Sequence, residues 1–140
     1  MKQALAIVAS VGLLATTAGC SSAPKTITAQ GAITSSTPAS LGYRVGGPCK
    51  GMGNDSMQKG KEYKITAEGK TLAIGELDEG VGIRGAEGGV DCQFKFSQEV
   101  PAGMKFYTLD LGEFQGHKEF SEAEISKGIT VDRIDLDGRQ

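Results

Sequence analysis

The sequence has no tryptophan, a single histidine and only three cysteines among its 140 residues. The absence of tryptophan removes the side chain that most often anchors protein interfaces. One histidine cannot build a zinc site of several imidazoles, because such a site needs three or four ligands. We therefore expect no metal, no cofactor and no catalytic histidine, and we interpret His117 as a solvated residue of a hairpin.

Long blocks of like charge are also missing. Lys and Arg number 15 and Asp and Glu number 17, so the formal net charge is −2. Without a basic patch the chain lacks the electrostatic footprint of a nucleic-acid binder, and we expect no nucleic-acid partner. With 39% hydrophobic and 23% charged residues, the composition is typical of one ordinary compact domain. Glycine, in contrast, is abundant at 21 residues, which predicts many tight turns.

The first twenty residues have the pattern of a bacterial export signal. Lys2 precedes an apolar run over Ala4–Ala15, which is too short to span a bilayer. The next residues, Thr17–Cys20 (TAGC), resemble the lipobox of bacterial lipoproteins, although Thr17 stands where that pattern prefers leucine. The resemblance implies a signal peptide over residues 1–19 and a diacylglyceryl group on Cys20. A soluble secreted protein cleaved nearby is the alternative.

Cysteine parity agrees with this interpretation. If Cys20 carries lipid, Cys49 and Cys92 form an even pair in an oxidising compartment, where a disulfide is the default state. The alternative is two separate buried thiols. Two acyl chains give stable anchoring, so we expect the domain to stay on the extracytoplasmic face of the cell membrane, attached through its N-terminal lipid.

The rest of the chain reads as an all-β protein. We predict a lipidated tether over residues 20–29 and, over residues 30–140, an antiparallel immunoglobulin-like β-sandwich of about seven short strands, because apolar residues alternate with period two between turn signals. The strand candidates are Ile27–Thr34, Leu41–Val45, Glu62–Ala67, Asp91–Ser97, Met104–Leu111, His117–Phe120 and Ile129–Leu136.

Smaller features refine this prediction. The strand Glu62–Ala67 turns at Gly69 into a return strand that carries Leu72, Ile74 and Leu77. Near the C-terminus, Ser121 followed by Glu124 forms a capping box, and Gly128 supplies a stop, so one helix of about two turns is expected there.

The Gly-rich stretch 78–89 contains Gly80–Gly85, which matches the pattern G-x-G-x-x-G. The residues that follow cannot open the helix on which a pyrophosphate would rest, so we interpret the match as accidental. We predict instead a flexible loop joining two strands. Together with the segment 46–60, it would form a contact surface at one end of the sandwich. The candidate binding residues are Asp78, Glu79, Arg84 and Glu87.

Two chemical alternatives stay open. Met52, Met57 and His117 are the only soft or imidazole groups suited to Cu(I). A hydrolase would need an unrecognised carboxylate pair drawn from Asp78, Glu79, Glu87 and Asp91.

Four short segments resemble a group of small lipoproteins from actinobacteria and their phages. These segments are Cys49–Gly53, Cys92–Phe96, Val100–Gly103 with Phe106 and Tyr107, and Phe120–Ser121 with Glu124. Residues 54–57 depart from the family, which usually has paired glycines and an aromatic residue there. The resemblance implies a secreted β-sandwich with one disulfide and carries no active site, substrate or cofactor.

The sequence therefore favours a non-enzymatic binding or interaction module of the cell envelope, with an envelope protein or a glycan as its partner. The alternative is a prophage-encoded lipoprotein that excludes superinfecting phage by occupying an envelope component that the phage needs.

Overall fold

The computed structural model describes residues 23–51, 57–86, 88–112 and 116–132. The predicted signal peptide and Cys20 lie outside these residues. The described chain contains nine strands and one α-helix: β1 (Thr26–Ser36), β2 (Pro48–Cys49), β3 (Glu62–Ala67), β4 (Lys70–Glu76), β5 (Gly80–Arg84), β6 (Val90–Pro101), β7 (Phe106–Asp110), β8 (His117–Ser121), α1 (Glu122–Lys127) and β9 (Ile129–Asp132).

The strands form two sheets. The five-stranded sheet has the order β2-β5-β6-β1-β9, and the four-stranded sheet has the order β4-β3-β7-β8. Neighbours pair in antiparallel fashion except β1 and β9, which are parallel. The predicted all-β sandwich with one short helix near the C-terminus is confirmed. Its described part has nine strands rather than about seven.

The core lies between the two sheets and follows the predicted alternation. On β6, Cys92, Phe94 and Phe96 are buried on one face, and on β3 Tyr63 and Ile65 are buried in the same way. The rings of Tyr63 and Phe96 meet edge to face, with their centroids 5.4 Å apart, so an aromatic pair joins the two sheets. Period-two patterning thus identified both of these strands correctly.

The return strand β4 departs from simple alternation. The register between β3 and β4 shifts at Ile65 and Thr66, which places Ala73 opposite Ile65 and Gly75 opposite Tyr63. Ile74 consequently faces outwards and is 55% exposed. Any Cβ on Gly75 would collide with the Tyr63 side chain, so a glycine is needed where the tyrosine crosses the strand.

Helix α1 forms as its caps predict. The Ser121 hydroxyl accepts a bond from the backbone N–H of Glu124, and the Glu124 carboxylate accepts one from the backbone N–H of Ser121, at 2.8 Å. The Ser121 hydroxyl also donates to the Glu124 carboxylate at 2.7 Å. This bond first, and then the bond from the Ser121 backbone N–H, hold the pKa of the Glu124 carboxyl below its usual value. Ile125 is the buried residue of the helix, which ends at Gly128.

Two predicted segments need correction. Strand β1 begins at Thr26, so the last residues of the tether predicted over 20–29 belong to the sandwich. The candidate strand Leu41–Val45 is wrong, because Pro38 opens a 3-10 turn over Ala39–Leu41 that Gly42 ends in a left-handed conformation. The predicted last strand is present as β9, and the rest of its predicted range, residues 133–136, lies outside the described residues.

Candidate functional site

The candidate site is built around a disulfide. Cys49 and Cys92 are bonded, with their Cα atoms 5.8 Å apart, which confirms the predicted pair. Cys49 lies on the edge strand β2 and Cys92 on the inner strand β6, so the bridge cross-links one sheet. Both residues are buried, at 6% and 0% exposure. The bridge therefore fixes the short edge strand to the core.

Strand β5 passes beside this bridge, and its glycines are required there. A Cβ on Gly80 would lie 2.5 Å from the Cys49 carbonyl oxygen and 2.6 Å from Cys92 Sγ. A Cβ on Gly82 would collide with the carbonyl oxygen of Arg44. Close packing therefore explains the G-x-G pattern, as expected for a match unrelated to phosphate binding.

The prediction of a flexible loop over residues 78–89 is accordingly wrong over Gly80–Arg84, which form β5. The prediction of strands depends on apolar residues at alternate positions, and in this strand the inward positions are occupied by glycine instead. The remaining apolar residues of this strand, Val81 and Ile83, point to the outer face of the sheet. Of the predicted neighbouring segment 46–60, the strand β2 does lie beside it, because β2 pairs with β5.

A cleft of about 180 Å³ opens where β2 and β5 meet. We call it the disulfide cleft. Its lining residues come from the loop before β2, from β2 and the residue after it, from the turn before β3, and from the first residue of β5 and the residue before it: Tyr43, Pro48, Cys49, Lys50, Lys59, Glu79 and Gly80.

Backbone hydrogen bonds hold the walls of this cleft in place. The N–H of Gly46 donates to the carbonyl of Gly82 at 2.8 Å, and the N–H of Gly82 donates to the carbonyl of Gly47 at 2.8 Å. Lys59 sits in a turn closed by a bond from the Lys61 N–H to the Gln58 carbonyl, at 3.1 Å. The cleft is therefore preformed by main-chain pairing and by the disulfide.

The exposed lining of the disulfide cleft is mainly apolar, and three charged residues stand among those that form it. Lys50 and Lys59 offer two ammonium groups, Glu79 offers one carboxylate, and the half-buried Tyr43 offers an aromatic face. A volume of about 180 Å³ is below the roughly 300 to 1,000 Å³ of sites for drug-sized ligands. The cleft therefore matches one residue or one ring of a larger partner.

The four predicted binding residues are not brought together. Glu79 lines the disulfide cleft, whereas Asp78 lines a separate open groove of about 440 Å³ that crosses the outer face of β6, β1 and β9. Arg84 is at the opposite end of β5 from Gly80, roughly 13 Å along the strand. Glu87 lies outside the described residues.

The sequence did not single out three of the lining residues as binding residues, namely Tyr43, Lys50 and Lys59. Lys50 and Lys59 do fall within the predicted contact segment 46–60. The position of Lys50 directly after Cys49 could have placed it beside the disulfide. Tyr43 lies in a segment that was misassigned as a strand, and no local pattern marked it.

The candidate Cu(I) ligands are not brought together in the described part of the chain, and of the candidate carboxylates Asp78 and Asp91 lie apart. Met57 is fully buried in the core, while His117 is exposed on β8, and Met52 lies outside the described residues. The Asp78 N–H bonds to the Lys95 carbonyl, and Asp91 is four residues from Lys95 along β6, or roughly 13 Å. Across residues 23–51, 57–86, 88–112 and 116–132, no group of three or more His, Cys, Asp or Glu is placed to hold a metal ion.

A second polar cluster occupies the opposite end of the sandwich. The Tyr107 hydroxyl lies 2.8 Å from the Pro101 carbonyl oxygen and 2.9 Å from a Glu122 carboxylate oxygen, and the two acceptors share its proton. The same carboxylate oxygen accepts a bond from the Gly103 N–H at 2.6 Å. Burial, and then the Glu122 carboxylate, raise the pKa of Tyr107 above its ordinary value, so the phenol stays protonated.

Comparison with protein-family models, with curated protein sequences and with solved structures gives no match to this chain. Among the residues that the structure describes, no helix has the length and apolar character needed to cross a membrane.

Proposed function

We propose that the chain is an exported, lipid-anchored binding module on the extracytoplasmic face of the cell membrane, with no catalytic activity of its own. The disulfide cleft is its contact site, and an envelope protein or a glycan is its partner. Cys20 is its lipid attachment point.

The compartment is supported by the sulfur chemistry. A buried disulfide between Cys49 and Cys92 fits an oxidising environment. Cys20 is then the odd cysteine, and it directly follows the small residues Ala18 and Gly19 after an apolar run. Acylation of Cys20 accounts for all three cysteines at once.

The direction of β1 is the observation that carries the proposed role. The strand starts at Thr26, six residues after Cys20 in the sequence, and near its other end Ser35 pairs with Cys92. Nine residue steps along a strand span roughly 30 Å. We call the end of the sandwich that contains Thr26 and the turn Pro101–Gly103 the tether end. A lipid on Cys20 holds this end near the membrane. The disulfide cleft is presented away from it.

The surroundings of the cleft favour recognition of a partner with both charge and apolar surface. Val45 and Val81, on the segments that form the cleft, are 60% and 44% exposed. Lys50 and Lys59 are positioned for an acidic group, and Glu79 for an amine or a hydroxyl. We therefore expect a macromolecule that inserts one polar residue or sugar ring into the cleft.

The anchor is tested by intact mass and fractionation of the protein from an expressing bacterium. We expect loss of residues 1–19, addition of a diacylglyceryl group, and a mass lower by about two daltons than that of the reduced form. Cys20→Ser should release the domain from the membrane fraction. An unacylated, reduced protein in the cytoplasm would refute the proposal.

The contact site is tested with the lipid-free domain, using purified envelope fractions and a glycan array as probes. We expect a ligand that binds the unchanged domain and loses at least about tenfold in affinity when Lys59→Glu and Glu79→Lys are combined. The matched control combines Lys64→Glu and Glu119→Lys, exposed residues on the outer face of the four-stranded sheet, with the same change of charge. Equal effects of the two double variants would remove the cleft from the proposal.

A further inference from the structure

The tether end carries an exposed aromatic residue that the binding role does not use. Phe106, the first residue of β7, is 44% exposed, and the Lys105 ammonium lies 5.3 Å from the centroid of its ring. We propose that this end of the sandwich rests on the bilayer, with the Phe106 ring in the lipid interface and Lys105 among the headgroups. The proposal depends on the lipid anchor at Cys20 proposed above.

The short tether keeps this end close to the membrane. The N–H of Ala102 donates to the Lys25 carbonyl at 2.9 Å, so the chain is already held to the sandwich at Lys25. Only residues 21–24 separate it from Cys20, and five residue steps reach at most about 17 Å even when fully extended. A lipid on Cys20 therefore brings the tether end to the headgroup region.

Phe106 is at that same end. Thr26 pairs with Pro101 in the β1–β6 ladder, and the hydroxyl of Tyr107 contacts the Pro101 carbonyl. Phe106 is next to Tyr107 and points to the opposite face, so its ring projects from the outside of the sandwich near the tether attachment.

The residues that present the ring are fixed. Glu122 bonds through one carboxylate oxygen to both the Gly103 N–H and the Tyr107 hydroxyl, and the Met104 N–H is directed to the same hydroxyl at 3.4 Å. This cluster joins the turn before β7 to the first residue of α1. The ring is thus carried on a rigid platform, and little ordering entropy opposes its insertion.

The chemistry of this surface matches a membrane interface. Aromatic rings flanked by lysines are the side chains that settle at the level of the headgroups, because the ring leaves water and the ammonium stays hydrated. Lys25 and Lys105 are both exposed at this end and favour anionic lipids.

A single-tryptophan experiment tests the contact. The lipidated full chain is reconstituted in vesicles of phosphatidylcholine and phosphatidylglycerol with brominated acyl chains. Because the chain has no tryptophan, F106W and V81W each place one fluorescent reporter at a known position. Val81 is the matched control, since it is also 44% exposed but lies beside the disulfide cleft.

We expect bromination to quench the F106W fluorescence by at least about twofold and to leave the V81W fluorescence nearly unchanged. Addition of Lys105→Ala should weaken the F106W quenching in anionic vesicles more than in pure phosphatidylcholine. Equal quenching of the two reporters overturns the proposal.

Hydrogen exchange of the unsubstituted lipidated protein provides an independent measurement. Amides of residues 104–106 should exchange more slowly on vesicles than in detergent, and those of 81–83 should not. If the protein sediments with vesicles but shows neither effect, the bilayer contact is wrong and the anchor stands. If the protein carries no lipid and does not sediment, the anchor itself is wrong.

Discussion

At the scale of single residues, Gly80 shows how a side chain that is absent can determine packing. Its backbone lies against the carbonyl of Cys49, the sulfur of Cys92 and the ring of Phe94, so that no Cβ can be added without displacing one of them. All three neighbours are held by the sheet or by the disulfide. The conflict cannot be relieved by rotating an exposed side chain.

We therefore predict that Gly80→Ala lowers the free energy of unfolding by about 1 to 3 kcal/mol or more, as overpacking of a core does. Urea unfolding followed by circular dichroism measures the change. Gly89→Ala is the matched control, because an added Cβ at Gly89 meets nothing within 4 Å and the backbone is not left-handed. A Gly80→Ala variant as stable as the Gly89→Ala variant would contradict this account of β5.

The sequence predicted which cysteines form the disulfide, but it did not predict which charged residues share a cleft. The pairing of Cys49 with Cys92 was predicted from cysteine parity together with the oxidising compartment that the N-terminal pattern predicts, and the disulfide is present. The separation of Asp78 from Glu79 could not be predicted in this way. These adjacent residues diverge because the chain passes there from β4 in one sheet to β5 in the other. One residue thereby lines the open groove and the next lines the disulfide cleft.

At the scale of elements, helix α1 is the clearest case of a local sequence signal that is sufficient. Ser121 and Glu124 satisfy each other's backbone N–H groups, and both bonds of the capping box are present. A helix of six residues is too short to be stable by propensity alone, so its caps and the buried Ile125 determine whether it forms.

The capping box predicts a pH dependence. The pKa of Glu124 is lowered in the folded state, so its contribution to stability is present above the ordinary value of 4.5 and is lost as the pH falls through the folded pKa. The difference in stability between the unchanged protein and Glu124→Gln should therefore be largest near neutral pH and should shrink in acid.

Ser121→Ala should itself cost about 1 kcal/mol, as the loss of an N-cap does. It also serves as the control for the pH effect, because much of the lowered pKa depends on the Ser121 hydroxyl. When Ser121→Ala is already present, the loss of stability caused by Glu124→Gln should depend less on pH. An undiminished dependence would show that the capping box is not its cause.

Strand β5 is the opposite case, in which the element depends on its neighbours. Its inward positions carry glycine, so the alternation that identified β3 and β6 is absent. The strand forms because β2 and β6 pair with it on either side.

At the scale of the whole molecule, the disulfide stabilises the fold by restricting the unfolded chain. The bridge closes a sequence separation of 43 residues. In the loop-entropy model this corresponds to roughly 4 kcal/mol, and measured values are often smaller. The whole hairpin of β3 and β4 and the whole of β5 lie within the closed loop, so the effect belongs to the domain rather than to β2.

We predict that replacing both cysteines, as in Cys49→Ala with Cys92→Ala, lowers the free energy of unfolding by about 2 to 4 kcal/mol. Reductant should destabilise the unchanged domain by a similar amount and should have no effect on the double variant, which is the internal control. Thermal unfolding with and without reductant measures both. A reductant effect that persists in the double variant would contradict the assignment.

The sequence by itself determined the all-β class, the inward faces of β3 and β6, the helix with its caps, and the cysteine pair. The first three follow from neighbours in the chain, and the cysteine pair follows from cysteine parity. The tertiary structure alone decided that β5 is a strand, that Lys50, Lys59, Glu79 and Tyr43 share one cleft, and that Phe106 lies at the tether end. These outcomes depend on contacts between residues far apart in sequence, which a local pattern does not encode.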